Sequence, residues 1–187
     1  MSEPFDPRTF HVAAPRGFED LAVGETFRNP SRTVTEAHFS AFQALSGDNH
    51  PIHYDTEWCR AHGISGPVAH GLQVLAFTAP GAGSFPHMIG DRLIGFIEQS
   101  CRFLRPVHVG DTLYPTLTIA ALTRQQTTGI VVMAATIHNQ RGELVLSGEQ
   151  KYLLRLQASP AGVAERRAER HAERHAERHA ERHDGAA

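Results

Sequence analysis

The sequence predicts an α+β protein in which a long antiparallel β-sheet is wrapped around one buried helix. The second half of the 187 residues contains four successive strand patterns, rich in Val, Ile, Leu and Thr and separated by short turns. Before them, residues 70–78 form a helical segment that is apolar on nearly every side, which indicates a buried helix. A sheet this long coils, and we expect the apolar helix to fill the coil.

The first half of the chain predicts short elements. An edge strand spans residues 25–34 and is interrupted at Pro30, because proline cannot donate a hydrogen bond to a neighbouring strand. Thr35 is placed to cap a helix that ends at Gly47. The apolar residues of this helix recur at helical spacing. A second short helix is predicted over residues 56–61. The buried helix then begins near position 70.

The strands of the second half are predicted over residues 92–104, 112–122, 129–138 and 143–156. A Gly-containing turn at 139–142 joins the last two as a hairpin. Because consecutive strands joined by tight turns pair antiparallel, this half forms one antiparallel sheet.

The composition excludes several classes of protein. Hydrophobic residues make up 41% of the chain, enough for a core, and the net charge of −2 gives no basic field for nucleic acid. The apolar runs are too short to cross a bilayer, and the first residues do not resemble a signal peptide. With only two cysteines, we expect free thiols and a cytoplasmic protein without nucleic-acid or membrane partners.

Three regions follow from the pattern along the chain. Residues 1–16 are an irregular N-terminal arm, residues 17–157 are the folded domain, and residues 158–187 are a low-complexity tail. The tail repeats the sequence AERH four times and therefore holds four of the 13 histidines. Because it has no apolar stripe, we expect a solvated appendage, although such histidines would bind Ni²⁺ or Zn²⁺ in vitro.

The densest polar cluster is the loop SGDNHPIHYD at 46–55. Asp48 and His53 lie five residues apart, and Pro51 bends the chain between them, so the two side chains can converge. A carboxylate beside an imidazole is an acid–base pair, and both groups can hydrogen-bond one water molecule.

A second feature stands at the start of the buried helix. The first N–H groups of a helix have no internal partner, and Gly71 has no Cβ to keep a ligand away. The sequence therefore predicts a site that polarises a carbonyl group at Gly71.

Together these motifs resemble the MaoC-like dehydratases of the hot-dog fold, a group that includes R-specific enoyl-CoA hydratases. The resemblance is carried by SGDNHPIHYD with the following VAHGL, and by GFEDLAVG at 17–24 and RPVHVGD at 105–111. It covers residues 17–156. The family has Asn before the proline, whereas this chain has His50 there and Asn49 one place earlier. His50 either replaces a structural hydrogen bond or adds a third titratable group.

The resemblance implies reversible hydration of a 2-enoyl thioester, in fatty-acid metabolism, with an R-3-hydroxyacyl product. It implies His53 as the main base, Asp48 as the partner acid, and the Gly71 N–H on the thioester oxygen. Substrate contacts are expected at Asn49, His50, His70 and Ser100. The expected partners are an acyl-CoA or acyl-carrier-protein thioester and a second copy of the chain, with no cofactor and no metal. The stretch 78–91 is expected to line the acyl pocket.

Two alternatives remain open at this point. A hot-dog acyl-CoA thioesterase typically has a carboxylate on the buried helix, but residues 72–82 contain no Asp or Glu. A non-catalytic module that binds a thioester or a partner would be expected to lose Asp48 or His53, and both are present.

Overall fold

The computed structural model describes residues 6–157, and its elements follow the predicted order. The helices are α1 (Glu36–Ser46), α2 (Thr56–Ala61), α3 (Gly71–Ala76) and α4 (Phe85–Ile89). The strands are β1 (Thr26–Arg28), β2 (Arg32–Thr33), β3 (Leu93–Phe103), β4 (Thr112–Arg124), β5 (Thr128–Asn139) and β6 (Leu144–Arg155). The repeat tail and the first five residues of the arm lie outside the described residues.

All strands belong to one antiparallel sheet with the order β1-β4-β5-β6-β3, and β2 also pairs with β4. The predicted hairpins join β4 to β5 and β5 to β6. However, β3 does not pair with β4, which follows it in the chain. It lies at the far edge against β6, and the connection over 104–111 crosses the sheet.

Local sequence signals explain where the strands and the first helix begin and end in the first half of the chain. Pro30 lies between β1 and β2, as predicted. Thr35 is the N-cap of α1: its backbone N–H donates to His38 Nδ1 at 3.0 Å, and its hydroxyl lies 2.8 Å from the same nitrogen. Gly47 ends the same helix with φ 71°, a left-handed conformation that favours glycine, and its N–H donates to Gln43 O at 2.8 Å.

The central helix is shorter than the helical segment predicted over residues 70–78. α3 has only six residues, because the following stretch contains Pro80, Gly81 and Gly83. Its Val74 is buried and its Leu72 is 64% exposed, so only part of its apolar surface is covered within this chain.

α4 completes the cover of the sheet. Its Phe85 and Ile89 are buried, and the Phe85 ring packs 5.2 Å from those of Phe27 and Tyr152. The structure thus places these two residues of the stretch 78–91 in the core. None of the helices in residues 6–157 combines the length and hydropathy needed to cross a membrane.

The core has two apolar clusters. One joins α4 and the turn at 18–20 to the middle strands, and the other joins α1 and α3 to the opposite end of the same strands. The candidate site lies beside the second cluster, between the end of α1 and the start of α3.

Candidate active site

Asp48 stands in the loop directly after α1. Its backbone N–H donates to Ser46 Oγ at 3.2 Å, and its Oδ1 accepts the His50 N–H at 3.2 Å. The loop thus orients the carboxylate through its own backbone, a turn pattern that Asp readily forms. The side chain is 49% exposed, so water reaches it.

His53 ends the short turn Pro51–His53 and faces Asp48. Its Nδ1 lies 2.5 Å from the Val68 carbonyl oxygen. Because a carbonyl only accepts hydrogen bonds, the ring proton is on Nδ1, and Nε2 presents a lone pair. This Nε2 lies 3.9 Å from Asp48 Oδ2. The tautomer is therefore the one that a base requires.

The distance between the two groups has a chemical consequence. A separation of 3.9 Å is too long for a direct hydrogen bond, but one water molecule can bond to both atoms. The structure brings together the predicted acid–base pair and leaves space for the water on which it would act.

His70 lies behind this pair and is almost completely buried. Its ring stacks on that of His53, with centroids 3.7 Å apart and planes inclined by 23°. Its Nε2 lies 2.9 Å from Tyr54 Oη and 3.3 Å from the Asp48 backbone oxygen. Burial, and then the negative charge of Asp48, raise the pKa of Tyr54, so its hydroxyl remains a donor.

Gly71, the first residue of α3, has the free N–H that was predicted. Within residues 6–157, no acceptor lies within hydrogen-bond distance of this group. The space of its absent Cβ is taken by the Phe103 ring, at 2.9 Å from an ideal Cβ position. A Cβ at position 71 would force the Phe103 ring to move, a packing role for glycine that the sequence did not indicate.

The side chains of the other predicted substrate contacts do not hydrogen-bond to Asp48 or His53 in the described part of the chain. Asn49 accepts a hydrogen bond from the Gln43 amide, and the His50 Nδ1 accepts the Ile52 N–H at 3.2 Å. Both therefore shape the loop, which favours the structural alternative for His50. Ser100 is exposed on β3, and within the described chain it makes no polar contact with Asp48 or His53.

Two cavities adjoin the site. The first, of about 490 Å³, is lined by Glu36, Phe39, Ser40, His53, Tyr54, Thr56, Ser65, Gly66, Pro67, His108 and Val109. The second, of about 380 Å³, is lined by Val68, Ala69, Gly71, Val74, Phe103, Leu104, Arg105, Pro106, Val107 and Val145. Both fall in the size range of small-molecule sites, and the second is largely apolar.

Asp48, His53 and His70 also offer three possible metal ligands, with donor atoms within 4.8 Å of one another. However, the two stacked rings are nearly parallel, so their nitrogen lone pairs do not converge on one point. The Nε2 of His70 is moreover engaged by Tyr54. The arrangement suits proton transfer better than metal binding.

The sequence interpretation missed three parts of this site. Tyr54 and Asp55 precede α2, and both are candidates for its cap. Asp55 caps the helix by accepting the Trp58 N–H at 2.9 Å, whereas Tyr54 binds His70, a contact that the sequence did not indicate. The Val68 carbonyl is invisible in a sequence, because any residue supplies one. Gln73 contacts His70 from the next turn of α3, and its spacing of three residues could have revealed it.

Comparisons with known proteins identify a family for this chain. A family model described as MaoC like domain matches residues 19–141. An (R)-specific enoyl-CoA hydratase of Aeromonas caviae is 30% identical over 135 residues, which cover 70% of this chain and 93% of the relative. A mitochondrial 3-hydroxyacyl-[acyl-carrier-protein] dehydratase of Arabidopsis thaliana is 28% identical over 148 residues, or 75% of this chain and 84% of the relative.

Two solved structures are similar to this chain in fold. A monoamine oxidase regulatory protein from Archaeoglobus fulgidus superposes with a TM-score of 0.72 at 30% identity, over 79% of this chain and 99% of that one. The (R)-hydratase from A. caviae superposes with a TM-score of 0.61 at 26% identity, over 74% of this chain and 98% of that one.

Proposed function

The chain belongs to the MaoC-like domain family, and we propose that it catalyses the reversible hydration of a 2-enoyl thioester to a 3-hydroxyacyl thioester. One observation carries the proposal. His53 presents an unprotonated Nε2 at 3.9 Å from Asp48 Oδ2, close to the start of α3, where the Gly71 N–H is free. The activities named for the similar proteins, enoyl-CoA hydratase and 3-hydroxyacyl-acyl-carrier-protein dehydratase, are this reaction in its two directions.

The proton transfers follow from the geometry of the pair. Water bound between the two groups attacks C3 while His53 Nε2 takes its proton. The Asp48 carboxylate then accepts this proton from His53 and, as the partner acid, delivers it to C2, so both groups return to their starting states. Both groups act from one side of the double bond, so the addition is syn, and an R-3-hydroxyacyl product follows by analogy with the named relatives.

The negative charge that develops on the thioester oxygen is met at Gly71. Its N–H donates to that oxygen, and hydrogen bonds that strengthen as charge develops lower the barrier. The apolar cavity beside Gly71 accepts the acyl chain, in place of the stretch 78–91 that the sequence suggested. A CoA and an acyl-carrier-protein thioester have the same reacting atoms, so either fits this chemistry.

The function is tested by the absorbance of crotonyl-CoA. We expect loss of the enoyl band without release of free thiol. Thiol release at the same rate would indicate a thioesterase and overturn the proposal, as would an unchanged band across short, medium and branched enoyl-CoA substrates. Cys101 offers no route to a covalent thioester, because burial raises the pKa of its thiol and leaves it protonated.

We also propose that the enzyme is a homodimer joined along β3. This strand lies at the edge of the sheet, and the large apolar residues Ile94, Phe96, Ile97 and Phe103 are about half exposed on it. A long apolar edge with unpaired backbone groups pairs readily with a second copy about a twofold axis. Such a partner would cover Ser100, which we propose as a substrate contact at the interface.

Both cysteines are free, in keeping with a cytoplasmic location.

Light scattering coupled to gel filtration tests the dimer. The wild-type protein is expected at twice the mass of the chain. Ile97→Lys introduces a charge into the edge and should give monomers, whereas Val23→Lys, at a similarly exposed apolar residue outside β3, should not. A dimeric Ile97→Lys variant would contradict the proposed interface.

A further inference from the structure

Gln73 is a buried polar residue that the proposed mechanism does not use. It is 4% exposed and lies on α3, three residues after His70. Its Oε1 is 3.2 Å from His70 Nδ1, while its Nε2 is buried without a hydrogen-bond partner in the described part of the chain. An unpaired buried amide nitrogen destabilises a fold. The presence of a buried glutamine at this position therefore requires an explanation. Within the described residues only its oxygen has a partner, His70, so the explanation lies in that contact.

With Gln73 Oε1 facing the ring, the hydrogen bond places the imidazole proton of His70 on Nδ1. An amide oxygen only accepts, so His70 donates from Nδ1, and its Nε2 carries a lone pair. That lone pair accepts the hydroxyl of Tyr54 at 2.9 Å. Gln73, His70 and Tyr54 thus form one chain of hydrogen bonds in which Gln73 determines the tautomer of His70.

The tautomer matters because His70 is stacked on His53. The titratable groups that face His70 are the Asp48 carboxylate, within 4.8 Å, His53 and Tyr54, while α1 contributes the aromatic rings of Phe39 and Phe42. An uncharged ring stacked on His53 is attracted to the positive charge that His53 gains from water. If His70 carried a proton on both nitrogens, its positive charge would oppose the protonation of His53.

We propose that Gln73 is a positioning residue for the Asp48 and His53 pair, acting through the buried ring of His70. It holds the proton of His70 on Nδ1, so that a neutral imidazole supports His53 and keeps the Tyr54 hydroxyl directed at the ring. The inference rests on the proposed function, since the role of Gln73 is to prepare His53 for its proton.

Two substitutions separate positioning from packing. Gln73→Met keeps the length of the side chain and removes the acceptor oxygen. Gln73→Glu keeps an acceptor oxygen, but it replaces the amide nitrogen, which has no partner in the described chain, by a second carboxyl oxygen that can carry a negative charge. We expect Gln73→Met to lower kcat about 10- to 100-fold, as loss of outer-shell support typically does, with little change in KM. Gln73→Glu should lower kcat less than Gln73→Met does, because His70 Nδ1 keeps its acceptor. A residue that merely fills space would give the reverse order, because Met fits an apolar site better than a carboxylate does.

The matched control is Gln150→Met. Gln150 is equally buried, but its amide contacts Thr78 and Tyr152 instead of a histidine. It should lose stability with kcat per folded molecule unchanged. A Gln73→Met variant whose kcat stays within twofold of wild type would overturn the proposal.

Nitrogen NMR of the imidazoles gives a test that is independent of activity. In the wild-type protein His70 should carry its proton on Nδ1, and in Gln73→Met the proton should move to Nε2, where the Asp48 carbonyl can accept it. A wild-type His70 protonated on Nε2 would overturn the proposal even if Gln73→Met does not fold. Failure of the proposed function is distinguished by the wild-type assay with crotonyl-CoA, which does not depend on Gln73.

Discussion

The loop that carries Asp48 and His53 and the strand at the centre of the sheet are held in place by different means. In β5, alternate side chains are completely buried along the whole strand, from Val131 to Ile137. In residues 47–55, no side chain is fully buried, and the loop is held by hydrogen bonds between polar side chains and its own backbone. Apolar burial supplies most of the free energy of folding, whereas exposed polar groups supply little.

The comparison predicts that stability and the proposed activity depend on different parts of this molecule. The loop is anchored to the sheet side mainly through Val68, whose N–H and C=O bind Ile52 and His53. Substitutions in the loop should therefore change the reaction without unfolding the protein. Substitutions in the central strands should do the opposite.

The largest effect is expected at the acid–base pair. Asp48→Asn keeps the shape and removes the charge, and His53→Ala removes the base. Each should lower kcat for crotonyl-CoA hydration by about 10³-fold, in the range that general acid–base groups contribute. The midpoint of urea unfolding should change little for Asp48→Asn, because its side chain is half exposed.

The control for this pair is His62→Ala, which removes an exposed histidine outside the site. It should leave kcat within about twofold of wild type. Near-normal turnover in Asp48→Asn or His53→Ala would show that the pair does not perform the reaction.

A smaller effect, now on stability, is expected in β5. Met133 is completely buried, and Met133→Ala should lower the free energy of unfolding by about 2–5 kcal/mol through lost burial and a cavity. The adjacent Val132→Ala, on the other face of the strand, should cost less, because Val132 is only partly buried. The kcat of the folded fraction should be unchanged in both. A large loss of kcat in Met133→Ala would contradict the hypothesis that the sheet determines stability and the loop determines activity.

The same division explains how far the sequence could be interpreted. The bounds of α2 and the three strands β4, β5 and β6 were predicted closely, because hydrophobic periodicity and turn residues are local signals. The position of β3 beyond β6 could not be predicted, since it depends on pairing between residues far apart in the chain. The end of α3 was missed because the apolar pattern continues where Pro80 and two glycines stop the helix.

Within the candidate site, the sequence proposed residues but not their connections. Asp48, His53 and Gly71 were proposed from residue type and spacing, and they remain predictions. The stacking of His70 on His53, and the Val68 carbonyl that sets the tautomer of His53, result from loops that meet only after folding. Residue patterns indicated the fold and the family resemblance indicated the reaction class, whereas the hydrogen-bond network could not be predicted.

An intermediate effect on stability is expected at Asp111, which precedes β4 and binds Gln140 and Arg141 in the turn between β5 and β6. Burial alone would raise the pKa of Asp111, but hydrogen bonds from the His108 N–H, Gln140 and Arg141 together lower it below the ordinary carboxyl value. Asp111→Asn should therefore cost about 2 kcal/mol at neutral pH, where the carboxylate is charged.

The sign of the pH dependence follows from the lowered pKa of Asp111. Its contribution is fully present above the unfolded value of about 3.9 and is lost as the pH falls through the lower folded value. The difference in unfolding free energy between wild type and Asp111→Asn should shrink towards acid pH. A difference that is constant from pH 7 to pH 3 would contradict this assignment.

The smallest effect is expected from removing the repeat tail. The AERH repeats contain no apolar residue except alanine, so they offer no surface that would pack on the sheet or the loop. A chain ending at Ala164 should keep the kcat of wild type within about twofold and its thermal midpoint within about 2 °C, for a change of well under 1 kcal/mol. The matched control carries the full tail with His171, His175, His179 and His183 changed to alanine. If truncation lowers kcat while the alanine variant does not, the tail supports the site through a property other than its histidines. In that case the loop, which has few apolar contacts of its own, is the part of the molecule on which the tail would act.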